Sequence, residues 1–285
     1  MTAPSLPPAL TLGCVHLTVN DLDRSLAFYQ NGLGFNVHRR EGGTAYLGAG
    51  GADLLALTEQ RGARHYSRRT GLYHFAVLVP SRLKLAHSLK RIAETETPVQ
   101  GFADHLVSEA IYLSDLDGNG IEIYRDRPRN EWVDADGHFR MGAEPLDIDG
   151  VLSELRGNGS EWTGLHSGTV LGHMHLQVRN IAEANAFYCN VLGFDLMANW
   201  DTALFISAGG YHHHIGLNTW ASLGAPPPPP DAVGLRYFVI RLPNQAEVDK
   251  ALERVRKAGL PTEEHDEGWL VRDPSSNSLV LSSAQ

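Results

Sequence analysis

The chain repeats itself. A segment beginning at His16, HLTVNDLDRSLAFYQNGLGF, returns 159 residues later as HLQVRNIAEANAFYCNVLGF, beginning at His175. A sequence that folds twice over must meet the same structural demands in each copy, so residues that differ between copies point to chemistry. The register extends well past the opening segment. Residues 44–51 (TAYLGAGG) lie over 203–210 (ALFISAGG) at the same offset, 71–80 (GLYHFAVLVP) over 234–243 (GLRYFVIRLP), and 115–123 (DLDGNGIEI) over 273–281 (DPSSNSLVL).

Each half is itself double. Helix starts are expected after Asn20, Ser81, Asn180 and Asn244, each a good N-cap residue followed by an amphipathic run. Glu183 and Glu247, three residues into two of these helices, complete approximate capping boxes. A β-rich run precedes each helix (CVHLTV, YHFAVLV, MHLQV, YFVIRL), and further short runs broken by Gly or Asp-Gly-Asn-Gly turns follow it. The predicted fold is α+β: four βαβββ units forming two tandem domains, each a curved, open, barrel-like mixed sheet with helices outside. Residues 1–128 make the first domain, 129–166 a linker packed along a domain surface, and 167–285 the second domain. Pro226 to Pro230 form an extended, stiff spacer inside the second half.

With 42% hydrophobic and 20% charged residues, the composition is that of a globular protein, and no apolar run reaches the ~20 residues of a membrane helix. The N-terminal segment MTAPSLPPALTLG lacks the pattern of a secretory signal. Cys14 and Cys189 are too few for a disulfide framework and suit a reducing cytoplasm. A net charge of −9 without a basic cluster argues against a nucleic-acid partner and leaves a small molecule.

The two copies part at three places. The first half has His16 on the first strand of its first unit, His74 on the first strand of its second unit and Glu122 on the last strand of that unit. The second half has His175, Tyr237 and Val280 there. Two imidazoles and a carboxylate facing one cavity make a facial triad with open coordination positions, a set suited to non-haem iron, though imidazole suits manganese, nickel and zinc as well. A strand histidine by itself is more often a hydrogen-bonded core residue. Glu122 weighs against that reading here, because it interrupts the apolar run GIEIY and a buried carboxylate is costly unless paired or bound to a cation.

The repeated unit carrying His16, His74 and Glu122 resembles the vicinal oxygen chelate superfamily, which includes extradiol dioxygenases, glyoxalase I, fosfomycin resistance enzymes and bleomycin-binding proteins. The ligand intervals of 58 and 48 residues and the stretch ADHLVSEAIYLSDLDGNGIEIYRDRP are most similar to the bacillus-type catechol 2,3-dioxygenases. The resemblance implies ring opening of a catechol-like diol by O2 with Fe(II) or Mn(II). It also implies roles for His105, which would hydrogen-bond or deprotonate the substrate, and Tyr112, which would contact it. His65 and Tyr73 are weaker candidates. One departure stands out: most members of this group carry the metal in the second domain, whereas here the triad belongs to the first.

The rival enzyme reading is a glyoxalase-type metal-dependent lyase or isomerase, which commonly uses four side-chain ligands. The matching strand ADLLALTE offers Asp53 without an inward glutamate. The rival outside enzymes is a drug-binding resistance protein, whose members usually lack the triad. In the second half, GGYHHHIGLNTW reads as a strand with His212 and His214 on one face and His213 on the other. With His175 they are candidates for a second metal, although a hydrogen-bonded polar cluster is preferred because Val280 replaces the carboxylate. His173 is a spare imidazole, read as one face away from His175.

Overall fold

A computed structural model describes residues 5–157 and 162–284, so residues 1–4 of the N-terminal segment and 158–161 of the expected linker lie outside the described part. The first half runs β1 (Thr11–Val19), α1 (Leu22–Ala27), β2 (Asn36–Glu41), β3 (Thr44–Gly48), β4 (Asp53–Glu59), β5 (Gly71–Leu78), α2 (Arg82–Glu94), β6 (Val99–Asp104), β7 (Ser108–Ser114) and β8 (Gly120–Asp126). After α3 (Ile148–Ser153) the order returns: β9 (Val170–Gln177), α4 (Ile181–Asn185), β10 (Asp195–Asn199), β11 (Ala203–Ser207) and β12 (Ile215–Asn218). The last unit is β13 (Gly234–Leu242), α5 (Gln245–Lys257), β14 (Thr262–His265), β15 (Gly268–Arg272) and β16 (Ser278–Ser283). The βαβββ unit is therefore present four times, and the fold is α+β with mixed sheets.

Contacts divide the chain into two compact units, one built from Met1–Thr18, Gly62–Tyr73 and Gly172–Gln285, the other from Val19–Arg61 and His74–Leu171. In the second of these, β4-β3-β2 and β5-β8-β7-β6 are the strand orders. In the first, the orders are β14-β15-β16-β13-β1 and β10-β11-β12-β9. The pairs β5 with β8, β13 with β16 and β12 with β9 are parallel and the others antiparallel.

Local chemistry explains the starts of the helices. Ser81, Asn180 and Asn244 accept hydrogen bonds from the backbone N–H three residues on, which satisfies donors that a helix leaves open. The first helix differs from expectation: Asp21 is its cap, accepting from Arg24 N–H, while the Asn20 N–H is held by the Asp117 carboxylate at 2.9 Å. Glu183 and Glu247 do lie three residues past their caps, and their carboxylates also meet Arg179 and Lys250.

The two copies share one buried polar device. Tyr29 donates to Asp115 Oδ2 at 2.9 Å, and its counterpart Tyr188 donates to Asp273 Oδ2 at 3.2 Å. Each aspartate also closes its own turn by accepting from the backbone and side chain of Asn119 or Asn277. Burial pushes both carboxyls up from their ordinary range and both phenols well up from theirs. Replacing Tyr29 by Phe removes a donor to a buried carboxyl, and urea unfolding should show a loss of about 1–3 kcal/mol, with Tyr188→Phe behaving alike.

Residues after Arg129 pack on the second unit as an ordered segment. Asp104 and Glu144 exchange backbone hydrogen bonds at 2.8 Å, Trp132 is buried, and α3, capped by Asp147, packs on α2. The polyproline run does more than space two elements. Prolines cannot donate but can accept, and here Pro226 C=O takes the Thr70 N–H at 3.3 Å while Arg64 bridges to Ala232.

Candidate metal centre

The site is built on β5, β7 and β8 by the two-residue period of strands. Register places Phe75 opposite Ile121, Val77 opposite Ile123, and Ile111 and Leu113 opposite Ile123 and Ile121, so these apolar side chains share one face. Helix α2 packs on β8 and buries Leu85, Leu89 and Ile92. The alternate positions form the other face: Ala76 lies opposite Glu122, Tyr112 opposite Glu122, and Ala110 opposite Tyr124. Glu122 points away from the helix-covered core because Ile121 and Ile123 occupy it.

On that face His74 Nε2 lies 3.1 Å from Glu122 Oε2, and the two side chains are 7% and 2% exposed. A buried carboxylate needs a counter-charge. A separation near 3 Å suits a hydrogen-bonded pair, and it equally suits two donor atoms at right angles about one cation ~2.1 Å from each. Beside them, the Tyr112 ring stands 5.6 Å from that of His74, centroid to centroid.

Tyr112 is oriented from behind by His105. His105 Nδ1 lies 2.7 Å from the Gly142 carbonyl, which can only accept, so the ring proton sits on Nδ1. Nε2 is then an acceptor, and the Tyr112 hydroxyl donates to it at 2.6 Å. The segment carrying Gly142 is fixed in turn by Gly142 N–H to His105 C=O at 3.2 Å and by the Asp104–Glu144 pair. An Arg127–Asp104 ion pair braces the end of β6.

Within its unit the His74–Glu122 pair offers one imidazole nitrogen and one carboxylate oxygen, both buried. A second group, Asp134, Asp136 and His138, is exposed, and Asp134 there accepts from the backbone of Asp136 and His138. His16 belongs to neither group. It sits on β1 opposite Tyr237, ring centroids 4.9 Å apart, and burial with nearby Arg236 and His265 lowers its pKa to about 4, leaving a neutral imidazole. Tyr237, which stands where His74 does in the first copy, donates to Glu267 at 3.0 Å. Val280 is fully buried.

His173 lies differently from the sequence reading, which set it one face away from His175. It and His175 are two apart on β9 and therefore share a face, both buried around fully buried Met174. The GHMHL alternation carried that signal. The His212–His214 tract also differs from expectation: it precedes β12 and is no strand, so strict alternation fails. His212 Nδ1 meets His213 Nδ1 at 2.8 Å, and His214 Nδ1 meets Ser207 Oγ at 2.9 Å, a hydrogen-bonded cluster. Neither ligand group contains His175, His212 or His214. Asp53 is paired with His38 at 2.7 Å and with Arg39. His65 is exposed.

A family model described as the Glyoxalase/Bleomycin resistance protein/Dioxygenase superfamily matches residues 11–123 and 170–279, covering both halves of the repeat. The chain belongs to this superfamily. It is 46% identical over 275 residues to a protein of Bacillus subtilis (strain 168) named catechol-2,3-dioxygenase, covering 94% of this chain and 95% of that protein. In fold it is similar to a Bacillus subtilis subsp. subtilis strain 168 protein, with a TM-score of 0.68, 13% identity, and 99% of this chain and 86% of that one covered. It is also similar to glyoxalase I from Zea mays, with a TM-score of 0.55, 16% identity, and 96% and 93% covered. Among the described residues no helix is long and apolar enough to cross a membrane.

Proposed function

We propose that this chain is an extradiol ring-cleaving dioxygenase that opens catechol-like aromatic diols with O2, using a divalent metal, Fe(II) or Mn(II), in the cytoplasm. The observation that carries the reading is the buried pairing of the His74 imidazole with the Glu122 carboxylate, flanked by a hydrogen-bonded Tyr112–His105 pair. The named relative at 46% identity supports the same chemistry.

The donor set fits such a metal: imidazole nitrogen and carboxylate oxygen, both buried. His74 and Glu122 would hold it, with a third imidazole beside them. The sequence repeat favours His16 for that place. Loss of metal from folded His16→Ala protein would support that place, and full retention would remove it. When bound, the metal supplies Lewis acidity to the diol oxygens and a route for electrons between ring and O2. On this reading the domain of residues 1–128 carries the principal ligands and residues 167–285 form the degenerate copy.

The remaining work falls to the protein. His105 donates its Nδ1–H to the Gly142 carbonyl, so Nε2, which accepts the Tyr112 hydroxyl, can take its proton as Tyr112 takes one from a diol hydroxyl. Ala76, Ala110 and Tyr124, all fully buried, keep that face of the sheet dry. The testing experiment is direct. Anaerobically purified, Fe(II)-loaded protein mixed with catechol and O2 should develop the yellow absorbance of a muconic semialdehyde. Protein that stays colourless with a panel of catechols, loaded with either metal, would remove the dioxygenase reading.

A further inference from the structure

Helices α2 and α5 are copies of one element, yet they carry different chemistry on the same face. Aligned on their caps, Ser81 and Asn244, they place Leu85 over Val248 and Leu89 over Leu252, all buried. Beside these, α5 has Glu247 and Lys250, which pair with each other at 2.7 Å. At the same positions α2 has Lys84 and His87, two basic groups one turn apart, and buried Ser88 stands where α5 has Ala251. The shared apolar residues meet the needs of folding in both copies, so folding does not account for the basic pair of the first.

Lys84, His87 and Ser88 line a cavity of about 50 Å³ together with Trp162, Thr163 and His166, all within the unit that contains His74–Leu171. One water needs only ~10–15 Å³, so the space admits a group of a few heavy atoms. The lining is rich in donors. His166 Nδ1 accepts the Gly168 N–H at 3.0 Å, which leaves Nε2 as the protonated nitrogen of the neutral ring. Ser88 Oγ donates to the Lys84 carbonyl at 3.2 Å, so the Lys84 ammonium, the His87 ring and the Thr163 hydroxyl supply the remaining donors. Burial, with Lys84 and Lys90 nearby, holds the His87 pKa below its ordinary value. Arg91, two turns along α2 from Lys84, lies over the Trp162 ring at 4.8 Å from its centroid and adds positive charge. Among the described residues no carboxylate lines the cavity, and Lys84 forms no ion pair. Donors and positive charge gathered in a partly desolvated hollow without a counter-ion favour an anion.

We infer that the cavity between α2 and residues 162–166 binds a phosphate group, with Lys84, His87, Thr163 and His166 as its donors. Four donors from two segments suit a tetrahedral group with several acceptor oxygens better than a planar carboxylate with two. Thr163 and His166 are exposed, so the mouth admits either inorganic phosphate or a phosphomonoester. Half-buried Trp162 gives the organic part of such an ester an apolar wall.

The test follows Tm of the full chain against added inorganic phosphate or phenyl phosphate, with sodium chloride at matched ionic strength as the reference. Phosphate also stabilises proteins by exclusion from their surface, so a variant sets the baseline. Wild type should gain Tm saturably, and Lys84→Gln should need about tenfold more phosphate for the same gain. Lys84→Glu combined with His87→Lys, which copies the pair of α5, should keep wild-type circular dichroism and lose the saturable gain. Phenyl phosphate acting at about a tenth of the inorganic phosphate concentration would support the site with a phosphomonoester as its occupant, and equal action would support it with free phosphate. Coincident curves for wild type and Lys84→Gln would overturn the inference. A second measurement needs no comparison of stabilities. In NMR spectra of the wild-type histidine rings, phosphate should shift the Cε1–H resonances of His87 and His166, assigned through His87→Gln and His166→Gln. Resonances that stay in place across the titration would overturn the site as well.

Discussion

Glu122→Gln protein should fold and fail to cleave catechol, with turnover lower by on the order of a thousandfold, equivalent to about 4 kcal/mol of barrier. The amide fills the same volume, so the sheet face on which Ala76 and Tyr112 lie opposite position 122 need not repack. What disappears is the negative charge 3.1 Å from His74 Nε2. If that charge serves a metal, affinity and turnover fall together. If it serves only a buried ion pair with His74, the variant should lose stability and keep turnover in proportion to the folded fraction. Stopped-flow absorbance with catechol and O2, set beside a urea unfolding curve, distinguishes these outcomes. An active Glu122→Gln enzyme would remove the carboxylate from the chemistry.

The largest loss of stability should come from Glu109→Ala. Glu109 is 1% exposed and receives three guanidinium groups: Arg82 at 2.9 Å, Arg125 at 2.6 Å and Arg127 at 3.4 Å. Removing the one carboxylate leaves neighbouring cations without compensation in a partly desolvated place, a change that costs about 3–5 kcal/mol. Tm should fall by about 10 °C for a chain of this size. The effect should reach the site as well, since β7 and β8 carry both the Glu109 network and the Tyr112–Glu122 pair. Arg82 also extends to Asp147 at 3.6 Å and Glu154 at 3.7 Å, which ties α2 to the segment of α3. Calorimetry on Glu109→Ala and Glu109→Gln should rank alanine as the more damaging. A wild-type Tm for Glu109→Ala would show that the three arginines find other partners at no cost.

Much of the architecture was legible in the residues because a repeat exposes what folding requires. The tyrosine of AFYQN and AFYCN and the aspartate of DLDGN and DPSSN recur in both copies, and they prove to be a hydrogen-bonded pair in each. Helix caps were readable where a lone Ser or Asn precedes the amphipathic run. The first was displaced by one residue because Asn20 and Asp21 are both competent caps, and Asp117 captures the Asn20 backbone. Period-two patterning was enough to set Glu122 apart from the apolar face, because it interrupts GIEIY. The link from Gly142 to His105 was hidden: a backbone carbonyl leaves no mark in side-chain patterns. The His212–His214 tract misled because three polar residues in a row carry no signal that distinguishes a strand from the turn before one.

The claim on which the rest depends is that His74 and Glu122 bind a divalent cation. Metal analysis of anaerobically prepared protein, dialysed against Fe(II) or Mn(II) and then against buffer, measures this without reference to turnover. The account predicts one ion per chain in the wild type, and almost none in His74→Ala and Glu122→Ala that keep wild-type circular dichroism. A wild type that retains no metal, or folded variants that retain it fully, would contradict the account.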